Sequence, residues 1–129
     1  MTSDFPVSKA GLDQAFAFLA QSGAEFGLPE AVSHRLSIIL DELCSNMIRH
    51  DGTLGAADSF ALELDCGDDV VVLSIMDPGL PFNPFEHSQD KKPEIGGHGI
   101  SLIKGLSRSV DYSRKNGQNK ITIALDIAE

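Results

Sequence analysis

Glu42 and Asn46 stand four residues apart in the stretch Glu42-Leu43-Cys44-Ser45-Asn46, a spacing that on a helix of 3.6 residues per turn leaves them roughly 40° apart on one face. A carboxylate and a carboxamide side by side can do two jobs. The amide oxygen can complete the octahedral oxygen shell of Mg²⁺, and the carboxylate can accept a proton from an attacking hydroxyl. The same spacing equally suits a plain polar pair on a solvated helix face. A second candidate is Asp77-Pro78-Gly79, directly after the apolar run Val70 to Met76. A carboxylate at a strand end can accept from the exocyclic amine of a purine, and Gly79, lacking a Cβ, lets the backbone pass close to a flat base. Asp-Pro-Gly is also an ordinary turn. The third is Gly96-Gly97-His98-Gly99 ahead of an apolar-periodic segment, where backbone N–H groups and a helix dipole favour a polyphosphate. Ile100-Ser101 stands where a P-loop has Lys-Ser/Thr, so a Walker-type site is unsupported.

The elements that must position these residues follow from periodicity. From Ser8 to Phe26, Leu12, Ala15, Phe16, Leu19 and Ala20 recur at steps of three and four, which predicts an amphipathic helix ended by Gly27. Pro29 suits the first position of a second helix running to about His50. On that helix Val32, Leu36, Ile39, Leu40, Leu43 and Met47 form one stripe, with Glu42 and Asn46 at its margin. Alternation at Phe60, Leu62 and Leu64, the turn Gly67-Asp68-Asp69 and the run Val70 to Met76 predict a hairpin. Pro78 to Ile95 has no sustained period, and loops of this length are commonly functional lids. A third helix over Ile100 to Leu106 precedes a second hairpin, Val110 to Arg114 and Ile121 to Ile127 around Asn116-Gly117. This order predicts an α+β fold, a two-layer sandwich with helices on one face of a mixed, mainly antiparallel sheet.

The length of 129 residues suits one domain, residues 1–129. A net charge of −9 with no cluster of lysine or arginine argues against direct nucleic-acid binding. Cys44 and Cys66 lie far apart, without CxxC or zinc-knuckle spacing, so free thiols are expected. No segment reaches the roughly 18 apolar residues of a membrane span, and the first twelve residues lack a basic flank with an apolar run. A cytoplasmic location without membrane partners is the expectation.

Taken in order, the three motifs match a known arrangement. Asp41-Glu42-Leu43-Cys44-Ser45-Asn46-Met47-Ile48-Arg49-His50 resembles the N box of the GHKL ATPases, Asp77-Pro78-Gly79 their D-x-G box, and Gly96-Gly97-His98-Gly99-Ile100-Ser101-Leu102-Ile103 their second glycine box. Within that superfamily the chain is most similar to the stand-alone anti-sigma-factor serine/threonine kinases, which carry a histidine four residues after the N-box Asn, as His50 stands here. Asp77 to Pro84 and Val110-Asp111-Tyr112 to Leu125 also look like that family, so the resemblance runs from about Ser8 to the C-terminus. Two positions depart from it. Asp51-Gly52 follows His50 where the family commonly has a small residue and an aromatic, and only Met1 to Val7 precede the first helix, so the family's first strand looks short. Since that edge takes part in dimers among relatives, a homodimer stays an open reading.

The resemblance implies a fold of the GHKL ATP-binding type, with ATP and Mg²⁺ as cofactors. Residue by residue it implies Glu42 as general base, Asn46 as the Mg²⁺ ligand, Asp77 as the adenine reader with Gly79 beside the base, and Gly96, Gly97 and Gly99 around the phosphates. His50 joins the nucleotide-binding set, His98 holds a slot where the family often has a basic residue, and Thr122 on the last strand adds a hydroxyl near the adenine. His34 and His87 have no assigned partner, and Phe82 and Phe85 read as packing anchors within the lid. The implied activity is transfer of the ATP γ-phosphoryl group to a Ser or Thr of a STAS-domain anti-anti-sigma factor, coupled to binding of a sigma factor. The alternatives are a switch kinase that phosphorylates a STAS scaffold and activates a protein phosphatase, a nucleotide-binding module without transfer, and a detached histidine-kinase catalytic domain.

Overall fold

A computed structural model describes residues 1–49, 59–79, 83 and 95–127, with the side chains of 45–49 and 95–100 left aside. Strand β1 (Thr2–Pro6) leads into helix α1 (Lys9–Phe26). Ser8 caps that helix: its backbone is extended, and its Oγ accepts from the Gly11 N–H at 3.0 Å, satisfying one of the orphan donors of the first turn. Gly27 ends it with φ of 71°, a left-handed conformation that glycine adopts without a Cβ clash. Helix α2 (Glu30–Arg49) packs back along α1, and the two lie close where a Cβ on Gly23 would come within 3.1 Å of Ser33 Oγ.

The remaining elements are β2 (Ser59–Cys66), β3 (Val70–Asp77), α3 (Ile95–Leu106), β4 (Ser109–Lys115) and β5 (Gln118–Asp126). The strands lie in the order β1-β2-β3-β5-β4, and all four pairings are antiparallel. The α+β sandwich is as expected from the sequence, and its described sheet holds no parallel pair. Strand β1 is an addition to the hairpins that periodicity marks out. Its only buried residue is Phe5, too little for an alternation to show, yet it pairs with β2 over five residues from Thr2↔Glu63 to Pro6↔Ser59. Asn116 and Gly117, at φ 55° and 77°, form the two left-handed centres of the tight turn between β4 and β5.

The helices cover one face of the sheet. Val32, Leu36, Ile39, Leu40 and Leu43 of α2 are all fully buried and face Leu62, Leu64, Val71, Leu73, Ile75, Ile123 and Leu125 from the strands. Each such side chain contributes about 1.5–3 kcal/mol through its removal from water. Helix α3 differs from expectation at its start: it begins at Ile95, so Gly96, Gly97 and Gly99 lie inside its first turns. Its packing on α2 and the fully buried Ile103 outweigh the roughly 1 kcal/mol that each helical glycine costs.

Of the segment from Pro78 to Ile95, all but 78, 79, 83 and 95 lie outside the described residues, Phe82, Phe85 and His87 among them; His50 does as well. Among the described residues no helix is long and apolar enough to cross a membrane. Both cysteines are free. Burial, and secondarily the nearby Asp41 charge, push the Cys44 thiol up from 9.0 to about 12, so it remains protonated far above neutral pH. Native protein at pH 8 is expected to take up one equivalent of iodoacetamide, at the half-exposed Cys66. Intact-mass measurement reads the number of adducts, and rapid addition of two would contradict the burial of Cys44.

Candidate functional site

The three motifs converge because of how the chain returns on itself. Helix α1 starts beside Pro6, whose carbonyl accepts from the Ser8 N–H at 3.0 Å, and Pro6 pairs with Ser59 at the edge where β3 ends in Asp77. Since α1 leads away from that edge and α2 leads back, the C-terminal half of α2, with Glu42 and Asn46, arrives at the Asp77 end. Helix α3 runs the other way. Its C-terminus feeds Ser109, which pairs with Ala124 far from Asn119 and Asp77, so its N-terminal glycines begin near Asp77. Glu42 is half-buried one turn before Asn46, whose side chain lies outside the described residues, as does that of His98. The positive end of the α3 dipole lies toward this same end of the sheet.

Asp77 is the best-defined member. It continues the inward alternation of Val71, Leu73 and Ile75 and is only 5% exposed. Its Oδ1 accepts two hydrogen bonds, from the Gly79 N–H at 2.8 Å and from Asn119 Nδ2 at 3.2 Å. Among the described residues no hydrogen bond reaches Oδ2. A buried acceptor without a donor is costly, and an amine arriving from a ligand relieves that cost. The Asp-Pro-Gly turn is therefore more than a connector: the Asp77 carboxylate closes it through Gly79, and Arg114 Nη1 donates to the Gly79 carbonyl at 2.5 Å from the edge strand.

Asn119, Tyr112 and Arg114, all at this end, are not among the site residues read from the sequence. Asn119, 2% exposed, pairs across the ladder with Asp77 on one side and Arg114 on the other. Its Oδ1 accepts from the Tyr112 hydroxyl at 2.5 Å. A signal for it existed: Asn119 is in phase with the inward Ile121, Ile123 and Leu125, a polar residue in an apolar register. Thr122 is out of that phase. It pairs with Ser74 and Asp111, and with Asp77 three residues from Ser74 the two side chains leave opposite faces of the sheet. The register puts Thr122 on the other face of the sheet from Asp77, and Asn119 stands beside the Asp77 carboxylate. His34 is exposed on α2.

Helices cover one face of an antiparallel sheet, and a buried carboxylate ends its central strand. The family model described as the histidine kinase-like ATPase domain matches residues 5–125, and the chain belongs to that family, an ATP-binding one. A curated relative, the serine/threonine-protein kinase BtrW of Bordetella bronchiseptica, is 28% identical over 96 residues, 68% of this chain and 66% of its own length, so the match spans just under two thirds of that protein. Among solved structures, a chain of the SiaB–SiaC complex from Pseudomonas aeruginosa has a TM-score of 0.62 at 10% identity, covering 98% of this chain and 89% of its own. The histidine kinase AdeS of Acinetobacter baumannii has a TM-score of 0.56 at 14% identity, covering 100% of this chain and 68% of its own. Both share the fold.

Proposed function

We propose that the protein is an ATP-dependent protein serine/threonine kinase of the anti-sigma-factor type, acting as one domain over residues 1–129, that phosphorylates a STAS-domain anti-anti-sigma factor and binds a sigma factor. The observation that carries the nucleotide part is Asp77: a buried strand-end carboxylate with one oxygen doubly bonded and the other open toward a donor. That arrangement suits the 6-amino group of adenine. The kinase part rests on the family and on the relative named as a serine/threonine-protein kinase, together with the Glu42–Asn46 spacing on α2.

In this reading Glu42 takes the proton of the substrate hydroxyl as that oxygen bonds to the γ-phosphorus. The bond from γ-phosphorus to the bridging oxygen breaks, and ADP leaves. Asn46 is assigned to hold Mg²⁺, for which an amide oxygen is an appropriately hard donor. Held there, the metal would supply neutralisation of phosphate charge, and most of the remaining catalysis is positioning. The glycines at the start of α3 allow the backbone close to the phosphates, with His50 and His98 completing the nucleotide set.

Millimolar ADP with Mg²⁺ is expected to raise the melting temperature, because a ligand that binds the folded state stabilises it by mass action. Asp77→Asn should weaken that binding by roughly ten- to a hundredfold, the value of one hydrogen bond to a charged acceptor. The absence of both a thermal shift and calorimetric heat with the wild type would end the nucleotide reading. Binding without transfer to any STAS protein would leave a regulatory module, and transfer followed by activation of a protein phosphatase would identify the switch kinase.

A further inference from the structure

The carboxylate torsion of an aspartate is broad, with its two oxygens interchangeable in principle. Here they are not equivalent. Two donors converge on Oδ1, one from the turn at Gly79 and one from Asn119, 42 residues beyond Asp77 in the chain. An amide can present either its nitrogen or its oxygen to a neighbour. Asn119 is held in one sense from both sides: the acceptor-only carboxylate of Asp77 takes Nδ2, and the Tyr112 hydroxyl donates to Oδ1. The Tyr112–Asn119–Asp77 line crosses three strands in the helix-facing layer of the sheet.

We propose that Asn119, oriented by Tyr112, is a positioning residue that commits Asp77 Oδ1 and leaves Oδ2 as the outward acceptor, making the site selective for purines with a 6-amino group over those with a 6-oxo group. The inference rests on the nucleotide reading of Asp77 given above. A 6-oxo purine brings an acceptor against Oδ2, and two acceptors facing each other in a buried site repel. Selectivity is then a property of how firmly the carboxylate is held. If it can turn, Oδ2 leaves the position that meets the 6-amino group, the adenine nucleotide loses that hydrogen bond while the 6-oxo nucleotide loses only a repulsion, and discrimination falls.

The test is the ratio of dissociation constants for IDP and ADP, each with Mg²⁺, measured by calorimetry on the wild type, Asn119→Leu and Tyr112→Phe. The wild type should prefer ADP. Asn119→Leu removes the amide and should reduce the ratio about tenfold, a change of about 1.4 kcal/mol in discrimination. Tyr112→Phe keeps the ring on its half-buried strand position, removes only the hydroxyl, and should reduce the ratio by about threefold. The melting temperature without nucleotide reports folding separately; if Asn119→Leu does not fold, Tyr112→Phe alone decides. A purely structural role would lower that temperature, or weaken both nucleotides alike, and leave the ratio unchanged, which overturns the proposal while the nucleotide reading survives. A wild type that binds neither nucleotide overturns both.

Discussion

Glu42→Gln is expected to retain nucleotide binding and to lose phosphoryl transfer to a STAS serine or threonine by about 10²- to 10⁴-fold, the usual contribution of a general base. The substitution keeps the shape of the side chain and its place on α2, half-buried one turn before Asn46, and removes only the capacity to take a proton. Asn46→Ala should behave differently. It removes a proposed oxygen ligand, so binding of ATP with Mg²⁺ should itself weaken, whereas the Glu42 variant should bind as the wild type does. The contrast separates chemistry from binding and is read by following phosphate transfer and calorimetric affinity on the same preparations. Transfer by Glu42→Gln at the wild-type rate would reduce Glu42 to a helix-face residue.

The second large effect is on stability. A Cβ built on Gly11 would lie 1.9 Å from the Pro6 carbonyl oxygen and 2.8 Å from its carbon, and both are backbone atoms that cannot turn aside as a side chain does. Gly11 is buried in the first turn of α1, directly over the end of β1, so Gly11→Ala must push the helix off the strand or break the turn capped by Ser8. The expected cost is about 3 kcal/mol or more, at the upper end for overpacking, equivalent to a fall in melting temperature on the order of ten degrees for a chain of this size. Gly105→Ala is the control. It has nothing within 4 Å of its Cβ and lies in α3, where replacing glycine stabilises a helix by up to about 1 kcal/mol. Equal melting temperatures for the two variants would show that α1 does not press on β1 as described.

Much of the fold was legible because its signals are local. Apolar spacing that is regular from Ser8 to Phe26 and Gly27 as terminator mark out one helix, and the structure places α1 at Lys9–Phe26. The inward residues of β2, β3 and β5 show the alternation expected of strands covered on one face. Helix α3 starts five residues earlier than the sequence predicts, because glycine propensity argues for a loop and packing against α2 overrides it. The Thr122 hydroxyl suggests chemistry, but the phase of Ile121 and Ile123 turns it to the face opposite Asp77.

The sequence by itself determined the residue types available for chemistry, the three motifs in order, and which face of each element is apolar. Residues a few positions apart are tied by helix and strand periods, and that information is contained in any short window. Only the tertiary structure decided that β5 inserts between β3 and β4. Pairing of strands that are not neighbours in sequence depends on which faces can be buried together, and no local window encodes it. Because of that insertion Asn119 lies beside Asp77, Arg114 reaches the Gly79 carbonyl across 35 residues of chain, and Tyr112 stands behind the amide. The carboxylate could be read from the sequence; the orientation of its two oxygens could not, because it is set by side chains that meet only when the sheet is assembled.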